Sequence, residues 1–599
     1  MRIKWLSLIR TIGFLLVLLY HFFKQIFPGG FIGVDLFFTL SGFLTTALLI
    51  DEFQAEGKID LFGFFHRRFY RIFPPLVLMI LLSLPLALLV RNDFIASIGL
   101  QVSAALGFMT NFFEILAGGS YENQFSPHLF VHTWSLAIEV QFYLIWVLAV
   151  FGMTKISKSS GQLRGTIFLT SSALFLLSFL GMFISSFFVS NFSSIYYSTF
   201  THIFPFFLGS ILATMTGVKN TTRAFEKMVE KLDVRKTIAL FAGGLVVEIL
   251  LLFFLKFDSI LTYTIGFLLS SLATASMIYA ARVLHEKTPN VEEPALLSYF
   301  SSISYGIYLF HWPLFVIFSQ LFQLAISVPL TLVFSIIFAS LSFYMIEPNL
   351  QGKKGNLLGL DIDFASYSKW FYSLAGLLTL ACLGISLFAP KLGGFEKESL
   401  ASNLVQAQTQ MATTRAAAEN AQATNYNVQA GVTIFGDSVT VRASTAIQEV
   451  LPDAVIDGTV SRHLTEAKNL IELYKKNNTL KETVVISLGT NTSDNYQELL
   501  DDLVANFPKG HRLIFVTPYD GNFSQDTSLA YQTGQYEKEL AKENDFISIA
   551  DWYQVAVANP AIWVGSDLVH FNLETNGAEL FATTIQDAVK AAADGPVKE

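Results

Sequence analysis

The 599-residue chain has a single cysteine, Cys382, and few charges: Asp, Glu, Lys and Arg together make up 14% of it. One thiol excludes an intramolecular disulfide and a cysteine-built zinc site. No other group of residues shows metal-ligand spacing, so no metal is expected. A soluble globular protein carries about 25% charged residues, which excludes a chain that is soluble throughout. Intrinsic disorder is excluded by the opposite property, an abundance of apolar residues: 52% of the chain is hydrophobic, with 58 Phe. At this length more than one domain is expected. A polytopic membrane protein with something attached is what remains.

The formal net charge of −8 hides two unlike parts: residues 391–599 carry −12 and residues 1–390 carry +4. The first part reads as membrane-embedded, its basic loops set against anionic headgroups. The second reads as an acidic soluble domain, a poor match for nucleic acid.

A span needs about 20 mostly apolar residues. Eleven segments qualify: 11–27, 31–50, 73–90, 133–152, 166–188, 201–217, 237–255, 260–281, 300–321, 326–346 and 370–389. No small-residue cleavage site follows the first, so it reads as a retained span and not a signal peptide. The stretch 94–116 is diluted by Gln101, Ser103, Thr110, Asn111 and Glu114, and reads as re-entrant or interfacial. With eleven spans and a cytoplasmic N-terminus, the inner loops collect most of the Lys and Arg, among them Arg67, Arg68 and Arg71. The outer side keeps only Lys24, Arg91 and Lys256. The expectation is a multi-pass cell-membrane protein whose C-terminus lies outside.

Residues 391–430, rich in Ala, Gln, Asn and Thr, read as a linker. Beyond it, apolar runs at 432–438, 483–491, 512–519 and 546–552 alternate with polar helical segments such as 464–476 and 495–506. That alternation argues a parallel α/β sheet. The expected domains are 1–350 in the membrane, 351–390 as a cytoplasmic loop and last transmembrane helix, 391–430 as linker, and 431–599 as an extracellular catalytic domain.

Three motifs in the C-terminal domain carry chemistry. Gly436-Asp437-Ser438 follows an apolar strand, and active sites of such sheets lie beyond the carboxyl ends of the strands. Gly489-Thr490-Asn491 follows the next strongly apolar strand, and Asp567-Leu568-Val569-His570 lies near the C-terminus. A serine hydroxyl needs a base; His570 can be that base, and Asp567 can orient its imidazole. The Ser438 backbone N–H and the Asn491 amide can hold an oxyanion. Alone, each motif is usually a turn, a cap or a surface residue; their order on successive strand ends makes the set specific. This region resembles the SGNH/GDSL esterase family. The resemblance implies that Ser438 is the nucleophile, His570 the base, Asp567 its orienter and Asn491 an oxyanion-hole donor. It also implies a third donor near an arginine, where Gly458 and Ser461, before Arg462, are both open.

In the membrane half, ionisable residues within spans cost roughly 2.5–3.5 kcal/mol on insertion scales and default to functional candidates. Arg10 and His21 bracket the first span, about 16 Å apart on a helix. Asp35 lies in Gly33-Val34-Asp35-Leu36-Phe37-Phe38, Glu139 follows His132-Thr133-Trp134-Ser135, and His311 precedes Trp312-Pro313. The bland alternative for His21, Asp35 and Glu139 is buried polar packing; for Trp134 and Trp312 it is an interfacial belt. With the run RRFYRIFP at 67–74, these motifs resemble the acyltransferase family 3 membrane domain. The resemblance implies acyl transfer from a cytoplasmic thioester, acetyl-CoA, with His21 as acid or base and no bound cofactor. It offers Tyr196 and Tyr197 as acyl carriers, although Phe200 and His202 stand where Asp and Arg are expected. Such a domain fused to a serine domain resembles the peptidoglycan O-acetyltransferases of Gram-positive bacteria, which acetylate the muramic acid C6 hydroxyl. Another envelope glycan, a net acetylesterase, or a transporter with a binding module are the alternatives.

Overall fold

The computed structural model describes residues 3–599 apart from 91–94, 118–127, 190, 220, 358–359, 363–367, 391–427, 493–494, 524, 526–527, 565 and 574. The expected linker falls outside the described residues as far as 427. The chain divides into two compact units, Met1–Gly393 and Gly394–Glu599.

Among the described residues of the first unit, eleven helices are long and apolar enough to cross a membrane. They include α1 (Leu6–Phe23), α2 (Gly33–Glu56) and α3 (Leu61–Leu86). The stretch 94–116 is not one of them. It forms two short helices, α4 (Ile98–Leu106) and α5 (Thr110–Ala117), each about 12–14 Å long against a hydrocarbon core of about 30 Å. The polar residues that disqualify it as a span anchor it to the bundle. Asn111 donates to the Tyr197 carbonyl (3.2 Å) and to Thr199 (2.9 Å). Thr110 bonds Thr133 (2.8 Å), and Glu114 meets His128 (2.8 Å). Helix α3 starts earlier than hydropathy suggests, because Asp60 caps it by accepting from the Gly63 N–H. Arg67, Arg68 and Arg71 therefore lie on its opening turns and not in a loop.

Helices α6 (Trp134–Ile156), α7 (Ser160–Ser185) and α8 (Phe204–Thr216) follow. Gly42 explains the Ser41-Gly42-Phe43 motif: a Cβ there would lie 1.9 Å from the Phe206 carbonyl oxygen, so α2 and α8 touch backbone to backbone. Helix α9 (Val234–Phe254) carries Glu248, fully buried and accepting from Ser270 and Thr274, 3.0 Å each, on α10 (Phe267–Lys287). Helices α11 (Ala295–Leu321), α12 (Leu324–Leu341) and α13 (Ser368–Phe388) complete the unit.

The second unit is a five-stranded parallel sheet. Its strands are β1 (Gln429–Gly436), β2 (Val455–Gly458), β3 (Lys481–Ser487), β4 (Arg512–Val516) and β5 (Ile547–Ala550), in the order β2-β1-β3-β4-β5. Edge strand β2 has no counterpart among the sequence-predicted runs. Ile434, Val485 and Ile514 pack one face with Val439 and Phe581, while Phe435, Ile486 and Phe515 pack the other with Ile471 and Leu503. Both faces are covered, as an all-parallel sheet requires. The chain leaves β1 toward β2 on one side and returns as β3 on the other, so the carboxyl end of β1 is the switch point where such sheets bind ligands.

Candidate active site

Ser438 stands at that switch point. Strand β1 ends at Gly436, and Asp437 caps the next helix, α14 (Ser438–Val450), its side chain accepting from the Val439 N–H at 3.0 Å. Ser438 is thereby fixed as the first helical residue, buried at the sheet's rim. Its Oγ lies 2.7 Å from His570 Nε2, and His570 Nδ1 lies 2.7 Å from Asp567 Oδ2. Asp567 Oδ1 also accepts the backbone N–H groups of His570 (2.7 Å) and Val569 (3.0 Å). Burial alone would raise the Asp567 pKa; the bond from the His570 ring, its charge and the two backbone donors outweigh it and bring the group down to about 2. A carboxylate can only accept, so the proton sits on Nδ1 and the Nε2 lone pair faces the Ser438 hydroxyl. That is the arrangement for taking a proton from serine.

Two further groups belong to the motifs that follow β1 and β3. Asn491 Nδ2 is buried and makes no hydrogen bond among the described residues, so a donor is in place with nothing to donate to. Burial pushes Asp437 up to about 6, against the Val439 N–H and the charge of His570. Of the two positions open for a third donor, Gly458 lies within β2 opposite Gly436, and Ser461 in the turn beyond, at φ 59°. Arg462 clamps that turn, donating to the Asp457 carbonyl (2.5 Å), the Asp457 carboxylate (2.8 Å) and Thr459 (2.8 Å).

The loop carrying Asp567 and His570 is held from the side. Gly521 N–H donates to the Leu568 carbonyl and Asn522 Nδ2 to the Asp567 carbonyl, both at 2.9 Å. Leu568 has φ 64°, a left-handed conformation that costs a side-chain-bearing residue roughly 1–2 kcal/mol. A Cβ on Gly521 would stand 3.1 Å from the Leu568 Cβ, so glycine is what lets the two segments close.

In the membrane unit the structure distributes the expected residues over three places. His21 Nδ1 and His311 Nε2 are 2.7 Å apart with their rings stacked. His311 donates through Nδ1 to the Tyr308 carbonyl at 2.6 Å, so in neutral rings His21 donates to His311 and keeps its own lone pair on Nε2. Asp35 is paired with His202 at 3.3 Å, and His202 donates to the Tyr196 carbonyl at 2.7 Å, with Trp134 over both Tyr196 and Tyr197. Glu139 accepts from Ser41 (2.6 Å) and Tyr143 (2.5 Å) and lines a cavity of about 180 Å³ together with Arg10, Arg68 and Arg71. A second cavity, about 690 Å³, shares Arg10, Arg68 and Arg71 and adds Arg67 and Lys219 together with the acids Asp51, Glu52, Glu56 and Asp60. Arg10 and His21 thus belong to different places.

Sequence reasoning missed Glu248 and the partnership of His202 with Asp35. A lone carboxylate in Val246-Val247-Glu248 was a visible signal, since its insertion is costly. His202, in contrast, stood out only as a departure from an expected pattern.

A family model described as an acyltransferase domain matches residues 3–346. O-acetyltransferase OatA of Staphylococcus aureus (strain NCTC 8325 / PS 47) is 27% identical over 591 residues, covering 92% of this chain and 90% of the relative. YrhL of Bacillus subtilis (strain 168) is 25% identical over 641 residues, covering 97% and 98%. Among solved structures, the C-terminal catalytic domain of Streptococcus pneumoniae peptidoglycan O-acetyltransferase A (OatA), with a methylsulfonyl adduct, is 42% identical. It covers 29% of this chain and 99% of its own, with a TM-score of 0.28. The family match takes in more than half of the residues and nearly all of the membrane unit, and the chain therefore belongs to the acyltransferase family and is an enzyme of that class.

Proposed function

We propose that the chain is a peptidoglycan O-acetyltransferase that takes acetyl from cytoplasmic acetyl-CoA and delivers it to the muramic acid C6 hydroxyl through an acetyl-Ser438 intermediate. The observation that carries this reading is the 2.7 Å contact of Ser438 Oγ with His570 Nε2, in a chain whose membrane unit belongs to the acyltransferase family. Its S. aureus relative is named an O-acetyltransferase, and YrhL is named as a candidate for peptidoglycan O-acetylation.

On this reading Ser438 Oγ attacks the acetyl carbonyl carbon as His570 Nε2 takes its proton. The Ser438 N–H and Asn491 Nδ2 receive the oxyanion. The leaving group departs with the proton from His570. The glycan hydroxyl then attacks acetyl-Ser438, gives its proton to Nε2, and the serine leaves with that proton. Inside the membrane unit, the guanidinium groups of Arg10, Arg68 and Arg71, which line both cavities, suit the phosphates of acetyl-CoA. His21, buttressed by His311, is the acid or base nearest the far end of α1. Asp35, Glu139, Tyr196 and Tyr197 are the remaining groups for passing the acetyl on. The distribution of Lys and Arg supports a cytoplasmic N-terminus and a serine domain outside the cell.

The test compares cells carrying wild type, Ser438→Ala and His21→Ala, by base-released acetate and mass spectrometry of muropeptides. Both variants should lose wall acetyl, while His21→Ala spares ester hydrolysis by the serine site. Full acetylation in Ser438→Ala cells would refute the reading. A net esterase would give more wall acetyl in that variant, not less.

A further inference from the structure

Between Asp567 and His570 the loop carries one side chain that neither bonds nor packs inward. Leu568 is 37% exposed, whereas Val569 packs against the core. Its backbone sits in the left-handed region, where glycine would be free of strain. The fold nonetheless keeps a leucine there and locks it from both sides, with Gly521 on its carbonyl and Ser566 Oγ accepting from its N–H at 3.1 Å. Strain retained beside a reacting group points to a use for the strained residue.

The surroundings indicate the use. Phe523, next to the Asn522 that bonds Asp567, is 41% exposed, and Val564, in the turn that leads into the same loop, is 71% exposed. Leu568, Phe523 and Val564 lie on the loop that carries Asp567 and His570 or on segments that bond to it or lead into it, and they are three of the five large apolar side chains exposed among the described residues of this unit. A sugar ring presents C–H faces between its hydroxyls, and such a face is what an exposed apolar side chain on the loop between Asp567 and His570 can hold. Water can make no favourable contact there.

We infer that Leu568 contacts the acceptor: its side chain seats the C–H face of the acceptor sugar and occupies space that water would otherwise use to reach acetyl-Ser438. The inference rests on the acyl-enzyme reading above and deepens it. The competing steps are balanced alike. In each, an O–H attacks the acetyl carbon, its proton goes to His570 Nε2 and on to Ser438 Oγ, and the bond from Oγ to the acetyl carbon breaks. The product is a glycan ester in one case and acetate in the other. Leu568 decides between them by who is seated.

The experiment uses the full-length enzyme in detergent micelles, with p-nitrophenyl acetate as donor and a muramic-acid-containing oligosaccharide of peptidoglycan as acceptor. Nitrophenol release reports acylation, and mass spectrometry of the glycan against free acetate reports the partition. Leu568→Gly, which removes both side chain and strain, and Leu568→Ala, which removes the side chain alone, should each lower the ratio of transfer to hydrolysis about tenfold. Acylation should stay within about twofold of wild type, and Leu568→Met should restore the ratio. An unchanged ratio in both the Gly and Ala variants overturns the inference. Equal loss of acylation and transfer in both overturns it in favour of a purely structural role. A wild-type enzyme that acylates Ser438 yet acetylates no glycan would instead sink the transferase reading itself.

Discussion

Asp567→Asn separates geometry from tautomer. Asp567 Oδ1 accepts two backbone N–H groups, and only Oδ2 faces the imidazole. An asparagine can keep its oxygen on the backbone donors, so the loop stays in place, and it then points an amide donor at His570 Nδ1. The imidazole must accept there, its proton moves to Nε2, and Nε2–H confronts the Ser438 hydroxyl with no lone pair to take its proton. The expected loss is about 10³–10⁴ in kcat, about 4–5.5 kcal/mol of barrier. Acidification reaches this carboxylate only late. A pKa held down to about 2 means that the carboxylate's contribution to stability is complete above about 4 and is lost only as pH falls through about 2. The assay is nitrophenyl ester hydrolysis by the full-length protein, with a melt to confirm that the domain is folded. A folded variant that retains more than about a tenth of wild-type kcat would refute the assignment of Asp567.

Asn491→Ala should lower kcat for ester hydrolysis about 10²–10³-fold with little change in melting temperature, because Nδ2 has no partner to lose among the described residues; wild-type kcat would remove it from the oxyanion site. Asp437→Asn should change the pH profile of stability. With its pKa raised to about 6 by burial, the native carboxyl holds a proton that the unfolded one has lost. Stability is therefore greatest below about pH 4 and falls as pH rises through 6, by up to about 3 kcal/mol. Asparagine still caps the helix, so the variant should melt higher than wild type at pH 7 and alike at pH 4. An equal difference at both pH values would refute this.

What could be read from the sequence follows physical range. The eleven spans were legible because hydropathy is local and the bilayer imposes a length. The start of α3 was not, since three arginines within the opening turns of a capped helix look like a loop to any apolar window. Four strands were visible as apolar runs, whereas β2, four residues at the sheet's edge, was too short to stand out. Ser438, Asn491, Asp567 and His570 could be nominated from motifs at strand ends, and the fold brings the serine, histidine and aspartate within hydrogen-bond reach. The strained backbone of Leu568 and the pairing of Asp35 with His202, 167 positions apart, depend on contacts that sequence does not write locally.

Glu248 constrains how its helix pair can assemble. Ser270 and Thr274 are one turn apart on the same stripe of α10, so the acid finds both hydroxyls at a single rotation and depth. Sliding α9 by one turn, about 5.4 Å, would leave a carboxyl group against hydrocarbon at a cost of a few kcal/mol. The two helices therefore act as a keyed hairpin that settles in one alignment, giving the rest of the bundle a fixed wall to build on.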